Sequence, residues 1–444
     1  MTVVVALVMW NGDVASSLLR LVAVAGLGCV VVLAAFGLWR HTEAETATLL
    51  VVVTAGGVAM DQYFGRASLL NPRIEQARAL GVPFDARWAA DVAVDERAAG
   101  RNVPPVYPTI TAANFHLRPL AAVGGAVVPF ATVASARNVL CNEGGRYEIV
   151  NTDRHGFVNP DRMWDGARAW DMVVVGDSFA EGWCVSSGQS FADRLRERFG
   201  RVLNLGRGSL GPLGELGVTR EYLRGAEARV VVWSFFEGND WADLASELAV
   251  PQLAGYLDPA FSQHLLERRD AVQSALSTYA EDYLAGYRWR KMLPFGRWRA
   301  TLGDMDPQRL LRPSRLPVVS DGAGQDSGGL GKKETQEGDD MALLRRVIQL
   351  ELEEIRATGA RPVFVLLPSF DTYPQPGAVA VARRQFLANV MKEINVTMVD
   401  GDAAFRAAAA DPRDFFALRT WGHYTAEGHR VVADAIAQAV ETEQ

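Results

Sequence analysis

Three segments of the chain carry side chains suited to acyl transfer, and they are far apart in the sequence. Ser178 ends a Gly-Asp-Ser tripeptide, Asn239 stands between a glycine and an aspartate, and His423 follows a glycine near the C-terminus. A serine hydroxyl becomes a nucleophile when a neighbouring base removes its proton, and an amide N–H can stabilise the oxyanion that forms. Ser178, His423 and Asn239 are therefore candidates for nucleophile, general base and oxyanion donor.

His423 is the candidate base because of its place among the six histidines of the chain. It lies in a loop before the last predicted helix, where the chain can fold back over a sheet edge. His429 lies inside that helix beside apolar residues, and we expect it to be structural. The remaining four border an apolar run or have no strand-end placement: His41, His116, His155 and His264.

Short β-branched runs alternate with helical stretches from Asp171 onward, which is typical of βαβ units and a parallel sheet. The first three predicted strands end at Ser178, at the glycine-rich turn 206–211 and at Asn239. Ligands bind beyond the carboxyl ends of such strands, so these segments are expected to share one edge. The predicted strands are Met172–Val175, Arg201–Leu205, Ala228–Phe236, Pro362–Pro368 and Val396–Val399, and helices are predicted near Ser190–Phe199, Leu213–Arg224, Val379–Ile394 and Ala426–Glu441.

The ordered segments resemble the four blocks of the SGNH (GDSL-like) hydrolase superfamily. The matching residues are Gly176-Asp177-Ser178, Asn204-Leu205-Gly206, Gly238-Asn239-Asp240 and Gly422-His423. The resemblance covers residues from about 170 to the C-terminus, and it is closest to membrane-anchored members that modify bacterial envelope glycans or exopolysaccharides. It implies a flavodoxin-like three-layer α/β/α fold and ester hydrolysis or acyl transfer without a cofactor or metal.

The resemblance also implies a role for each matching residue, with two departures. Ser178 would be nucleophile, His423 base, and Asn239 and a backbone N–H of the second block oxyanion donors. The family's oxyanion glycine falls at Ser209, next to Gly208, and a serine can serve only if its φ is permitted. The family's aspartate three residues before the histidine is replaced by Thr420. A dyad, a backbone carbonyl, or an upstream acid, Asp414 or Asp411, would then orient the imidazole.

Composition excludes several other classes of protein. The net charge of -7 and pI of about 5.5 give no basic surface for nucleic acid. No CxxC, HExxH or P-loop pattern is present. The three cysteines, Cys29, Cys141 and Cys184, are too scattered for a disulfide scaffold or zinc site, and we favour three unpaired thiols. Cys141 and Cys184 are the pair that could form a disulfide in an oxidising compartment, because Cys29 lies in an apolar run.

Residues 1–66 are predicted to be a membrane anchor of one or two transmembrane helices. Leu21–Trp39 is uncharged and close to the roughly 20 residues that cross a bilayer, and the uncharged run Thr46–Met60 is a shorter candidate. A cleaved signal peptide is disfavoured because no basic region precedes the first apolar stretch. Charge does not decide the orientation, and we expect the catalytic domain outside the bacterial inner membrane, where the resembled proteins work.

The rest of the chain divides into two predicted regions. Residues 67–165 contain eight prolines and only brief apolar runs, which indicates a small accessory or connecting region with extended strands and turns. Residues 166–444 form the SGNH-like domain, interrupted by a helical insertion at 243–305 and a polar, mobile loop at 320–339.

Three functions remain open at this level. The first is a serine esterase or O-acyltransferase that acts on ester-linked acyl groups, acetyl above all, of an envelope glycan or lipid. The second is a non-catalytic glycan- or partner-binding module, which the absence of an acid at Thr420 favours. The third, a phospholipase acting on the membrane that anchors it, rests on the anchor and on the apolar, Trp-containing insertion.

Overall fold

The computed structural model describes residues 72–87, 89–103, 120–122, 124–292 and 330–442. The predicted anchor, 1–66, lies outside these residues. Within them, none of the helices combines the length and the apolar character needed to cross a bilayer. The chain divides into two compact units, and the elements of the site described below all belong to the larger one, Leu70–Gly286 with Pro317–Gln444.

A five-stranded parallel sheet forms the centre of the larger unit. Its strands are β5 (Ala169–Val175), β6 (Val202–Asn204), β7 (Glu227–Phe236), β8 (Arg361–Leu367) and β9 (Thr397–Asp400). They lie side by side in the order β6-β5-β7-β8-β9. Each of the five coincides, within a few residues at either end, with a strand predicted from the sequence. The parallel sheet of an α/β domain is therefore confirmed.

Helices follow the strands and cover both faces of the sheet. Four of them match the predicted helices to within one or two residues. The helices are α1 (Pro72–Ala79), α2 (Ala89–Ala98), α3 (Ser178–Glu181), α4 (Phe191–Phe199), α5 (Pro212–Leu223), α6 (Asp240–Glu247), α7 (Pro251–Ala254), α8 (Arg269–Met292), α9 (Leu330–Ala357), α10 (Ala378–Glu393), α11 (Gly401–Ala408) and α12 (Ala426–Thr442), with short 3-10 turns at Asp161–Trp164, Gly255–Leu257, Phe370–Thr372, Pro412–Phe415 and Ala417–Arg419.

The sheet is apolar on both faces because both faces are covered. Along β7, Val231 and Trp233 pack into one hydrophobic layer with helices α5, α9 and α10, whereas Val230 and Val232 pack into the other with α4, α11 and α12. Side chains alternate between the faces of a strand, so a strand buried on both sides reads as a continuous apolar run. This is why the strands were recognisable from the sequence.

The region 67–165 contains α1, α2 and two antiparallel hairpins in its described part. The hairpins are β1 (Leu120–Ala122) with β2 (Gly125–Val127), and β3 (Arg137–Cys141) with β4 (Glu148–Asn151). The loop between β3 and β4 reaches the candidate active site, although the sequence assigned no chemistry to this region.

The two predicted interruptions of the domain are both helical where they are described. The insertion contains most of α6, α7 and α8, and its residues 293–305 lie outside the described part. Of the predicted loop 320–339, residues 320–329 lie outside the described part, whereas residues 330–339 are helical and form the first turns of α9. Lys, Glu and Gln have high helix propensity, and the amphipathic turns that follow, anchored by Leu344, Val347 and Ile348, extend the helix backward through them.

Candidate active site

Ser178 is placed by a tight exit from β5. Gly176 has φ of 156°, and a Cβ at this position would lie 2.0 Å from Ser234 Oγ on β7, so only glycine fits. The Asp177 carboxylate caps α3 by accepting a hydrogen bond of 2.9 Å from the Phe179 N–H. Ser178 is the first residue of that helix, with 8% of its surface exposed. The hydroxyl therefore stands at the edge of the sheet.

His423 lies in the loop before α12, directly over Ser178. Its Nε2 is 2.7 Å from Ser178 Oγ, and its ring packs against Phe179 and Trp183 at centroid distances of 4.7 and 5.3 Å. The loop is anchored by the next residue, because the buried Tyr424 hydroxyl donates to the Pro368 carbonyl at 2.6 Å. The structure thus brings together the two residues that were predicted as nucleophile and base.

Glu143 supplies a carboxylate behind this base, from the loop that follows β3. Its Oε1 is 3.2 Å from His423 Nδ1, and its Oε2 accepts the backbone N–H of His423 at 2.6 Å. Arg73 of α1 donates to Oε1 at 2.9 Å. The carboxylate therefore fixes both the ring orientation and the backbone of the base, and completes a Ser-His-Glu arrangement.

The charge state of Glu143 suits that role. Burial by itself raises the pKa of Glu143, but the charges and hydrogen bonds of His423, followed by the charge of Arg73, outweigh burial and hold the pKa below its usual value. The carboxylate is consequently ionised at neutral pH, where it stabilises a positive charge on the imidazole.

Neither Asp411 nor Asp414 contacts the base, so the acids suggested from the sequence are replaced by Glu143. Asp411 forms ion pairs with Arg413 at 2.9 Å and with Arg419 at 2.5 Å, and Asp414 also pairs with Arg419. These arginines are close in sequence and hold the two aspartates on the surface of the 3-10 turns. The acid that contacts His423 lies 280 residues upstream of it, far from Thr420 in the sequence.

The turn that follows β6 contains Gly208 and Ser209, the two residues predicted to supply a backbone oxyanion donor. The Gly208 N–H donates to Glu181 Oε2 at 2.5 Å, so it serves the internal structure of the turn. Ser209 has φ of 66°, a conformation that glycine adopts more readily. Because the Gly208 N–H is occupied, Ser209 is the better candidate of the two predicted residues for the backbone donor.

Asn239 ends the loop after β7, at the same sheet edge as Ser178. Strands β5 and β7 are paired in parallel, with Val175 opposite Trp233. The Asn239 amide donates to Asp243 Oδ2 at 2.8 Å, and the Asn239 side chain also hydrogen-bonds to Asp177. Asp243 and Asp177 thus orient the amide, and the sequence did not single out Asp243 as a partner. The role of Asn239 as an oxyanion donor stays a prediction.

Several carboxyl groups are buried beneath this edge. Burial raises the pKa of Asp177 to about 6 and, with the charge of Asp177, the pKa of Asp243 to about 7. Glu247 accepts hydrogen bonds from the N–H groups of Gly211, Leu213 and Gly214, and so supports the turn next to Ser209. The residues below the site are therefore structural supports, and Asp177 both caps α3 and hydrogen-bonds to the Asn239 side chain.

A disulfide joins Cys141 and Cys184, with their Cα atoms 5.4 Å apart. The expectation of three unpaired thiols is wrong for this pair, because the fold brings the end of β3 beside the segment that follows α3. Cys184 Sγ is 3.9 Å from His423 Nδ1. This link is also the signal that could have identified Glu143, since a residue two positions after Cys141 must then lie near the site.

The same atoms form a group with metal-binding chemistry among the described residues. Glu143, Cys184 and His423 place one ligand atom each within 4.8 Å of one another. The disulfide uses the sulfur of Cys184, so no thiolate is available to a metal in this state. That the chemistry needs no metal or cofactor stays a prediction.

His429 was expected to be structural. Its side chain is fully buried and accepts a hydrogen bond from the Phe191 N–H, and burial lowers the pKa of His429 to about 3.

Comparisons with known proteins found similarity only at the level of solved structures, since no family model and no curated protein matches the chain. A lipolytic protein of the G-D-S-L family from Desulfitobacterium hafniense DCB-2 matches at 12% identity and a TM-score of 0.33, over 60% of this chain and 98% of that one. Another from Veillonella parvula DSM 2008 matches at 12% and 0.32, over 60% and 96%. A two-domain esterase active on acetylated mannans matches at 12% and 0.29, over 64% and 51%.

The first two of these solved structures carry the G-D-S-L designation in their names. At this identity and these TM-scores, however, we infer no function from the likeness. The functional assignment below rests on the geometry of Ser178, His423 and Glu143.

Proposed function

We propose that the protein is a serine esterase or O-acyltransferase that works through an acyl-serine intermediate at Ser178. The observation that carries the proposal is the unbroken line of contacts from Ser178 Oγ to His423 Nε2, at 2.7 Å, and from His423 Nδ1 to Glu143 Oε1, at 3.2 Å. A hydroxyl, an imidazole and an ionised carboxylate in this order make a nucleophile at neutral pH.

In the first half-reaction, His423 Nε2 takes the hydroxyl proton as Ser178 Oγ attacks the carbonyl carbon of the ester. The carbonyl oxygen becomes an oxyanion, which the backbone N–H of Ser209 and the amide of Asn239 stabilise; one such donor typically lowers a barrier by about 3 kcal/mol. Collapse of the intermediate breaks the bond to the alcohol oxygen, and this oxygen takes the proton from His423. The acyl group is left as an ester of Ser178.

In the second half-reaction, water or a sugar hydroxyl gives its proton to His423 Nε2 as its oxygen attacks the acyl carbon. Collapse of this intermediate breaks the bond to Ser178 Oγ, which takes the proton back from His423. Water makes the protein an esterase, whereas a hydroxyl makes it an O-acyltransferase. Ser178 is buried and the His423 side chain is only 15% exposed, and this enclosed setting favours a small acyl group such as acetyl. We further propose an extracytoplasmic site anchored to the inner membrane by residues 1–66, and the disulfide agrees with an oxidising compartment.

The test is covalent labelling and turnover by the full-length chain purified in detergent. We expect a fluorophosphonate probe to label the wild type and p-nitrophenyl acetate to be hydrolysed. Ser178→Ala should abolish both, and His423→Ala should lower both by at least about 10³-fold. Ser187→Ala, which alters an exposed serine nearby, and His264→Ala, which alters an exposed histidine, are the matched controls.

Three outcomes would contradict the proposal. Labelling that persists in Ser178→Ala would place the nucleophile elsewhere. A wild type that neither reacts with the probe nor turns over acetyl esters, but binds glycans, would identify a non-catalytic binding module. Turnover of phospholipid in vesicles but not of acetyl esters would instead identify a phospholipase.

A further inference from the structure

A large aromatic ring is exposed beside the candidate base. Trp421 precedes His423 by two residues, and 58% of its surface is exposed, the largest value among the large apolar side chains that the structure describes. An exposed ring of this size does not help to stabilise the hydrophobic core. Because Trp421 lies near the nucleophile, its ring is placed to contact the substrate.

The ring is held in place from below. The guanidinium carbon of Arg73 lies 4.2 Å from the centroid of the Trp421 ring, in a cation–π contact. Arg73 Nη2 also donates to the Trp421 carbonyl at 3.0 Å, so one side chain holds both the ring and its backbone. A ring that is already ordered loses little conformational entropy when a ligand packs against it.

The same contacts connect the ring to the catalytic line. Arg73 Nη2 donates to Glu143, whose carboxylate holds His423. Between them, Gly422 has φ of 141°, and a Cβ there would lie 2.3 Å from Glu143 Oε2 and 2.7 Å from Arg73 Nη2. The distance from ring to base is therefore set by closely packed groups, which is what a platform for a substrate requires.

The surroundings of the ring favour a sugar over an acyl chain. An acyl chain is bound by a continuous apolar groove, whereas the groups that touch or adjoin Trp421 are a guanidinium, a carboxylate and a glycine. A pyranose presents a flat face of C–H groups and a rim of hydroxyls, so it matches a flat ring with charged hydrogen-bonding neighbours.

We propose that Trp421, supported by Arg73, is the platform on which a sugar ring of an acylated glycan stacks so that its ester reaches Ser178. This assignment rests on the proposed function and narrows it, because it names a glycan rather than a lipid as the substrate class. Trp421 is a specificity-determining residue in this scheme and takes no part in proton transfer.

Two esters and two kinds of readout test the platform. Acetylated xylo-oligosaccharides carry sugar rings, whereas vinyl acetate has no ring to stack. In the full-length chain, Trp421→Ala should lower the ratio of kcat/KM for the oligosaccharide to kcat/KM for vinyl acetate at least about tenfold, mainly through KM, and Trp421→Tyr should restore part of it. Tyr279→Ala, which removes a partly exposed ring from α8, should leave the ratio unchanged.

Binding to an inactive protein separates this proposal from the proposed function. Ser178→Ala should bind the oligosaccharide in calorimetry, and the double variant Ser178→Ala/Trp421→Ala should bind it at least about tenfold more weakly, even if the wild type turns over no ester. An unchanged ratio together with unchanged binding would overturn the platform. An equal loss of kcat/KM on both esters would also overturn it, because Trp421 would then only position Glu143 through Arg73. A third ester, p-nitrophenyl octanoate, carries a long acyl chain, and a loss confined to this ester would mark an acyl-chain site instead.

Discussion

A carboxylate against Nδ1 changes what His423 can do, because it selects the tautomer whose Nε2 accepts the serine proton. It also stabilises the imidazolium that follows. In this molecule that carboxylate is Glu143, which is held by Arg73 and by the backbone of His423. Glu143 and the oxyanion donors are therefore the residues whose replacement tests the mechanism.

We expect Glu143→Gln to lower kcat roughly 10²- to 10⁴-fold, with a smaller effect on KM, because glutamine keeps the shape of the side chain without its charge. Steady-state kinetics with p-nitrophenyl acetate measures the change, and circular dichroism checks that the variant folds. Glu75→Gln, an exposed glutamate on α1, is the control. A Glu143→Gln enzyme within threefold of the wild type would show that Ser178 and His423 act as a dyad.

Ser209 tests whether a backbone donor, rather than a side chain, faces the oxyanion. Ser209→Gly should keep activity within about threefold and raise the free energy of unfolding by about 1 kcal/mol, because glycine adopts positive φ without the steric cost of a Cβ. Ser209→Ala should also keep activity, since it retains the N–H. A tenfold or larger loss in Ser209→Ala would assign the chemistry to the hydroxyl instead.

At the scale of elements, the β3–β4 hairpin is joined to the catalytic domain next to the site. The disulfide from Cys141 to Cys184 closes a loop of 43 residues and lies between the Glu143 loop and the segment after α3. The accessory region is thus part of the active site, because one of its loops carries the acid.

Replacing both cysteines, Cys141→Ser/Cys184→Ser, should lower the free energy of unfolding by about 2–4 kcal/mol, because the cross-link no longer restricts the unfolded chain. We also expect kcat to fall, since the Glu143 loop loses an anchor. Chemical denaturation and p-nitrophenyl acetate kinetics measure the two effects. Wild type treated with tris(2-carboxyethyl)phosphine should reproduce both changes, whereas Cys29→Ser should reproduce neither. Unchanged stability in the double variant would contradict the disulfide.

At the scale of the whole molecule, buried carboxyl groups make stability depend on pH. Burial raises the pKa of Glu351, on α9, to about 8, and its hydrogen bond from the Thr219 hydroxyl opposes the shift. The folded state keeps the proton that the unfolded chain releases near pH 4.5. The stabilisation from such a group is complete below the unfolded pKa and is lost as pH rises through the folded one.

The free energy of unfolding should therefore fall between pH 5 and pH 8, and Glu351→Gln should make that fall shallower by up to about 4 kcal/mol, the amount for one proton over three pH units. Urea denaturation at the two pH values measures the difference. Glu353→Gln changes an exposed glutamate on the same helix and should leave the slope unaltered. An equal slope in wild type and Glu351→Gln would mean that Glu351 is ionised when folded.

The sequence alone determined the elements and the order of the reactive residues. The strands are apolar and β-branched because both sheet faces are buried, so short-range patterns were sufficient to locate them. Local motifs were likewise sufficient to mark Ser178, Asn239 and His423. Parallel pairing then placed the ends of β5 and β7 side by side. These features follow from periodicity and strand direction, which a linear chain records directly.

Only the tertiary structure decided which acid serves the base, which thiols pair and which ring stands at the rim. Glu143 and His423 are 280 positions apart, and Cys141 and Cys184 are 43 apart. Such pairs form where separate elements pack, and Cys141, two positions before Glu143, is the one local residue that points to this packing. Contacts between distant segments depend on the fold as a whole, and for that reason the base is served by Glu143 of the β3–β4 hairpin and not by an acid close to Thr420 in the sequence.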